Sequence, residues 1–541
     1  VGQNALLNGD GALHNVLLGN LGTISADAAG LSINLASGSS NSGVIEVSSG
    51  VLALQGDSLQ NAGGLLAARA NSELQLQGIT VINGAVSVVG NGSVLSGYGT
   101  LDNIALQVSE GTITANVNGQ RLTLDPGDAA QLMRATLRAE NGGILLLTQG
   151  DFDNGGGTLI QAREGSVVEI KNISMNGGRL ETLGDGKIID LGSSDFTNMS
   201  FNANTEVANG GEFNLHGTII NTSSLTALNG GEIVMHDANL TAYTLKTITH
   251  PDGSVTFEPV ASDGQLNIAA GGTFKGEGRV DELAMDNQGT IHADGSKALI
   301  FDLKGDLFTN NGTVEVTGAG GMQIDDNQVM NNGKVDVQST LTLANNFVQQ
   351  AGELKVDGEL VASNVTIDKG TLAGSGVVDA DVTVNADGKL GRGSLILMQD
   401  LNLLGTLEID MTHSSLYDML DVRGDVTVGA STQFELMFAS DYNPLDGFDF
   451  DFSFVNNFIN FDLLSITNFI VTGLMDGFDW AVVWDDASGG FAVDIFNDDA
   501  STPTTDVPEP HTIMLLLFGI AFLVLRRKEP KPERREDSEK K

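Results

Sequence analysis

Two segments twenty residues apart, Asn209-Gly-Gly-Glu-Phe-Asn-Leu-His216 and Asn229-Gly-Gly-Glu-Ile-Val-Met-His236, carry a glutamate and a histidine at matching positions. If they are neighbouring rungs of a stacked structure, His216 lies about 4.8 Å from His236, and Glu212 lies as close to Glu232. Imidazole and carboxylate together can hold Zn²⁺ or Cu²⁺. A duplicated repeat also produces such a ladder as plain solvated surface, and nothing else in the sequence marks a cavity around it. The plainer reading is favoured, so no metal and no other cofactor is expected. The acidic runs Asp325-Asp326-Asn327 and Asp485-Asp486 offer oxygen ligands of the kind Ca²⁺ takes. They sit in no EF-hand loop and no Gly-Gly-x-Gly-x-Asp repeat, and general surface acidity accounts for them. With no cysteine in the chain, thiolate nucleophiles, thiolate metal sites and disulfides are excluded.

A different chemistry is written at residues 507–528. Val507-Pro508-Glu509-Pro510-His511-Thr512 precedes an uncharged run from Ile513 to Leu525, which ends at Arg526-Arg527-Lys528. Pro510 pushes Glu509 out of the α region, so the entry is extended and accessible to a protease. The apolar run of about 13 residues spans roughly 20 Å as a helix, short of a hydrocarbon core of about 30 Å. Arginines snorkelling to the interface make up part of the deficit. The basic cluster holds its end in the cytoplasm, so everything before residue 507 faces away from it.

This segment resembles the PEP-CTERM sorting signal of Gram-negative bacteria. The resemblance rests on Val507, Pro508, Glu509, Pro510, Thr512, the apolar run, and Arg526, Arg527 and Lys528. It implies an exosortase-type processing enzyme as partner, cleavage near the Pro-Glu-Pro, and transient residence in the inner membrane. A cell-surface or extracellular destination follows, often alongside exopolysaccharide. The charged, Pro-containing stretch 529–541 is expected to be disordered.

Formal net charge is −42 over 541 residues. Up to Leu525 there are 19 basic and 64 acidic residues, a balance of −45. Such a surface repels nucleic acid and anionic lipid and attracts cations. Val1 is followed by no charged-then-apolar leader, which leaves a removed signal peptide or a fragment.

What must position these groups is a repeat. Asn-Gly pairs punctuate the first 390 residues, at Asn83, Asn141, Asn209, Asn229, Asn311 and Asn332 among others. Between them apolar and polar residues alternate, as in Gly312-Thr-Val-Glu-Val and Gly333-Lys-Val-Asp-Val. Period two means half-buried strands. Gly289, Gly312, Gly333, Gly352 and Gly370 are spaced by 23, 21, 19 and 18 residues. A steady interval near 20 without helical stretches predicts a right-handed parallel β-helix, since propeller blades need about 40 residues. Residues 1–399 form the repeat region, with roughly 19 rungs up to residue 390. Val314 and Val316 should stack inside against Val335 and Val337. Residues 121–141 are the least repeat-like and are read as a rung with a bulged corner.

The stretch Gly370-Thr-Leu-Ala-Gly-Ser-Gly-Val-Val, then Val382 to Gly391, resembles the repeat of autotransporter passenger domains, as does Tyr417 to Val428. That resemblance implies a β-helix rod closed by a β-rich C-terminal region. After Arg423 the composition changes. No Lys or Arg occurs from Gly424 to Leu525, and twelve of the 23 Phe lie between Phe434 and Phe496. A solenoid end needs a cap, so residues 400–496 are assigned to an aromatic-rich β cap. Residues 497–506 form a polar linker, 507–528 the signal with its short transmembrane helix, and 529–541 the tail.

The sequence thus indicates an all-β, secreted or surface-displayed structural protein of adhesion type, not an enzyme, with exopolysaccharide or biofilm matrix as its expected associate. The rival is a β-helix carbohydrate-active enzyme, a lyase or hydrolase. Such sites need clustered carboxylates with Lys or Arg on adjacent rungs and aromatic sugar platforms, whereas the first 390 residues hold no Trp and scattered basic residues. Ice binding would need Thr-x-Thr on successive rungs. Thr112-Ile-Thr114, Thr247-Ile-Thr249 and Thr340-Leu-Thr342 stand isolated.

Overall fold

A computed structural model describes residues 1–497 apart from 128, 154–156, 250–254, 306, 412–419, 440–449, 452–454, 460–462, 475–476 and 486–489. Alternating side chains make every strand two-faced, and a strand of this kind must bury its apolar side. The chain does so by winding three strands into each turn and stacking turns in parallel. Thr290–Ala293, Leu299–Asp302 and Leu307–Asn310 make one turn. Thr313–Val316, Met322–Ile324 and Gln328–Asn331 lie on them, parallel and nearly in register. The result is a parallel β-solenoid of about 19 turns. Among the described residues there is no α-helix, only a 3₁₀ turn at Ile466–Asn468.

The expected stacking is met. Val314 pairs with Val335 and Val316 with Val337, and all four are buried. Val314 and Val335 belong to an inward file that runs Ile291, Val314, Val335, Leu354, Leu372 and Leu390, and Val316 and Val337 to a second that runs Ala293, Val316, Val337 and Val356. Larger residues share this core. Phe196 stacks on Phe213 with ring centres 4.1 Å apart, and Phe201 meets Phe213 edge-on.

Corners are held in two ways. At the aligned glycines a Cβ on Gly352 would overlap the carbonyl oxygen of Gly333, and Gly333 stands in the same relation to Gly312. The turns therefore approach as closely as bare backbone allows, and φ of +74° at Gly352 adds a second demand for glycine. Two residues before this column, three at Gln349, buried amides form a ladder. Asn287 Nδ2 donates to Asn310 Oδ1 at 2.6 Å, Asn310 to Asn331 at 2.6 Å, and Asn331 to Gln349 at 2.7 Å. A second ladder joins Asn20, Asn41 and Asn61. Asn20, Asn41, Asn287, Asn310 and Asn331 each also accept the backbone N–H of the residue two positions on, as Asn310 does from Gly312. These asparagines are corner fasteners, distinct from those such as Asn83 and Asn141 that adopt positive φ.

Three sequence expectations need adjustment. Residues 121–141 are an ordinary turn, with strands at Arg121–Pro126, Ala130–Met133 and Thr136–Ala139 paired in parallel to their neighbours. The departure lies elsewhere. Tyr243–Thr249 and Val255–Ala261 form an antiparallel hairpin that leaves the stack, and Gln265–Ile268 then pairs directly with Ser224–Ala227. Lastly, residue 400 is no change of fold. Parallel stacking continues through Thr406–Met411 and Gln433–Phe438 to Phe469–Thr472. Phe434 and Phe469 stack in the same inward file, 4.9 Å apart. Beyond residue 400, antiparallel pairing among the described residues joins Phe450–Asp451, Phe478–Asp485 and Gly490–Asn497 in a separate sheet. The alternating run Phe448-Asp-Phe-Asp-Phe-Ser-Phe454 lies mostly outside the described residues. So do the linker beyond Asn497, the sorting signal, its apolar helix and the tail. Among the described residues no helix is long and apolar enough to cross a membrane.

Candidate functional site

The duplicated segments pair as their spacing demands. Glu212–Asn221 and Glu232–Thr241 run parallel, with Glu212 opposite Glu232 and His216 opposite His236. Phe213, Leu215, Ile233 and Met235 point inward and are buried. The two imidazoles stack with centres 4.6 Å apart and planes 6° off parallel. His216 Nε2 lies 3.3 Å from Asp195 Oδ1, and His236 Nε2 lies 2.9 Å from Asn214 Oδ1. Glu232 is bound by Lys275 Nζ at 2.5 Å, a hydrogen bond that raises the lysine's pKa.

This geometry brings histidine to histidine and glutamate to glutamate, but not one pair to the other. Four residues of extended strand separate each Glu from its His by about 13 Å, far beyond a shared coordination sphere. Parallel stacked rings also cannot aim two nitrogen lone pairs at one ion. Among the described residues no three His, Asp or Glu are grouped to hold a metal. The acidic pair Asp325-Asp326 is likewise split by strand alternation. Asp325 faces out to Arg279 at 3.1 Å, while Asp326 is buried and its Oδ1 accepts the N–H of Leu303 at 2.8 Å. The threonine pairs form no array. Thr114 bonds Glu140 at 3.2 Å and Arg138 lies over it, and Thr340 and Thr342 are followed by Glu359 and Val361.

Two features were not read from the sequence. Arg279 bridges a column of stacked aspartates on successive turns, reaching Asp302 at 2.5 Å and Asp325 at 3.1 Å, with Asp281 at 3.7 Å. Asp190 points into the core between Ile170 and Val207 and is 0 % exposed. Burial pushes its carboxyl up to about 7, although Ser194 Oγ donates to it at 2.7 Å. Parity would have found Asp190, because Lys187-Ile188-Ile189-Asp190 puts it on the same side as Ile188.

Residues 506–528 match the PEP-CTERM protein-sorting motif. No curated protein sequence matches the chain. The motif covers each of Val507, Pro508, Glu509, Pro510, Thr512, Arg526, Arg527 and Lys528. It implies recognition by an exosortase, transient anchoring in the membrane, and then an extracellular or surface location for the β-solenoid that precedes it.

Proposed function

We propose that the protein is a structural or adhesive rod of a Gram-negative cell surface, placed there by exosortase processing and retained in an exopolysaccharide or biofilm matrix. The observation that carries this reading is the union of a sorting motif with a long parallel stack whose strands pair turn upon turn. Such a stack has a rigid, extended outer surface suited to repeated weak contacts. Its acidic balance keeps neighbouring rods apart unless cations or a polymer join them. The competing reading is a carbohydrate-active enzyme built on the same fold.

The test is a deletion strain. Loss of matrix cohesion or of retained polysaccharide, restored by the full chain, supports the structural reading. Unchanged matrix would overturn it. Incubating the purified protein with acidic and neutral polysaccharides, and assaying for new reducing ends or unsaturated products, separates the rival. Turnover there would replace a structural role with an enzymatic one.

A further inference from the structure

One place on the rod interrupts its ladders. On the first strand of successive turns, Lys355 is followed in register by Ala373, which the next turns continue with Gly391 and Glu408. One corner further round, Asp357 is followed by Ser375, whose N–H it accepts at 3.1 Å, and then, in the register of Val377 on Ile396, by Ser394. Long side chains thus give way for two turns to small ones and return. Gly374 and Gly393 cannot be replaced by larger residues, because a Cβ on Gly374 would overlap the carbonyl of Val356 and one on Gly393 that of Gly374. The backbone packing itself enforces the gap.

The result is a trench across the rod with a volume of about 510 Å³. Its walls are three turns apart, about 14 Å from backbone to backbone. That volume lies in the range of small-molecule sites. Glu353, Lys355 and Asp357 stand on one wall and Glu408 on the other, while Arg392 rises from the floor turn between Gly391 and Gly393 and leans toward Asp410 on the far side. Thr371 and Ser375 add hydroxyls to the floor.

Two of these groups are underused. The Glu353 carboxylate makes no side-chain hydrogen bond or ion pair among the described residues and acts on Lys355 only through its charge. The Arg392 side chain is 58 % exposed, and its contacts are Asp410 at 3.5 Å and the thioether sulfur of Met437 at 3.5 Å. A guanidinium carries five donors in a planar fork. The other charges are engaged, Lys355 with Asp357 at 2.5 Å and Glu408 with Lys389 at 2.6 Å. The trench therefore presents a spare acceptor on one wall and a spare donor fork rising from a hydroxylated floor.

We propose that this trench binds a short segment of a neutral, hydroxyl-rich glycan lying across the rod. Vicinal hydroxyls both donate and accept, so one sugar can take hydrogen bonds from Arg392 and give them to Glu353. A polyanion is disfavoured by the surrounding charge of −45. An extended peptide would bind by pairing its backbone to a sheet edge. The trench crosses the interior of a continuous sheet, where turns above and below already pair. With no aromatic platform, single-site affinity is weak, and a polymer gains by engaging many rods. The inference rests on the matrix reading above and names its contact.

Native affinity electrophoresis of the secreted protein tests it, in gels cast with dextran, mixed-linkage β-glucan or galactomannan, and with polygalacturonate for comparison. Retardation by a neutral glycan is expected. It should weaken at least tenfold in R392Q and in A373F, which fills the trench from an outward position. K187Q, which removes a distant ion-paired cation, should match wild type. Circular dichroism and melting must show all three variants folded. Equal retardation of every variant would place glycan binding elsewhere and overturn the trench, leaving the matrix reading intact. Arg392-dependent retardation by polygalacturonate alone would overturn the neutral class. Retardation by none of the polymers would overturn the trench as a glycan site, and the deletion strain would then decide the matrix reading on its own.

Discussion

Asp190→Asn should stabilise the protein at neutral and alkaline pH and do little in acid. Asp190 occupies an inward position with Ile170 on one side and Val207 on the other, and its Oδ2 finds no partner. Its carboxyl is raised from 3.8 to about 7, chiefly by burial. A preference of that size for the neutral form corresponds to about 4 kcal/mol. The folded protein binds this proton more tightly than the unfolded chain does. Stability from the group is therefore fully present below about pH 4 and is lost as pH rises to about 7. Asparagine carries no charge to desolvate, and its Oδ1 can still accept from Ser194. Its Nδ2 replaces an oxygen that already lacks a partner, a cost of about 1–2 kcal/mol. The net expectation is a gain of about 2–3 kcal/mol at pH 8 and a small loss at pH 4. Urea or thermal unfolding at both pH values measures it. A variant that loses the same stability at pH 8 as at pH 4 would refute the argument, because the wild-type carboxylate would then be well solvated or paired.

The other expectations follow from the ladders and the tail. Asn310→Ala removes the centre of the buried amide ladder and strands donors and acceptors on Asn287, Asn331 and Gly312, so it should cost about 2–4 kcal/mol in denaturant unfolding. Arg279→Gln leaves Asp302 and Asp325 stacked without their shared cation. Because these groups are about one-third exposed, the loss should be only about 1 kcal/mol at low salt and should shrink in 0.5 M NaCl; a salt-independent loss would point to packing instead. The wild-type melting temperature should itself rise with added salt, given 19 basic against 64 acidic residues before the tail. Replacing Pro508, Glu509 and Pro510 by Ala should leave the chain uncleaved in the inner membrane of a host with the matching exosortase. Mass spectrometry of the secreted C-terminus checks this, and secreted protein still ending in Lys541 would count against processing.

Much of the fold was legible because two local signals agree. Alternation such as Thr313-Val-Glu-Val fixes which side of each strand is buried, and the glycine interval fixes how far along the chain its neighbour lies. Together they placed Val314 under Val335 and His216 beside His236, contacts that depend on period and parity alone. The hairpin at residues 243–261 escaped because both its strands alternate like any rung. Its signal was the turn-favouring sequence His250-Pro-Asp-Gly253 together with a step from His236 to Glu277 of twice the usual interval. The supposed boundary at residue 400 misled for a different reason. Phenylalanine enrichment changes the volume of the core but not the parity of the strand, and Phe434 simply takes the inward place that Leu407 holds one turn before.

Function was less legible, because a solenoid separates what sequence brings together. The in-out alternation, carried one corner past the strand Met322–Ile324, throws the neighbours Asp325 and Asp326 to opposite sides, and four residues of strand put Glu212 beyond reach of His216. Groups converge only across turns, at equivalent positions some 20 residues apart, and then as ladders of like residues, which favour surface regularity over chemistry. A site on such a rod requires an interruption, where small residues on one or two turns let side chains from more distant turns face one another. Ala373, Gly374, Gly391 and Gly393 make such an interruption, and none of the four has a polar side chain. That is why a search for reactive residue types passed over it, and why stretches of missing side chain, located by register, are the features to seek in chains of this architecture.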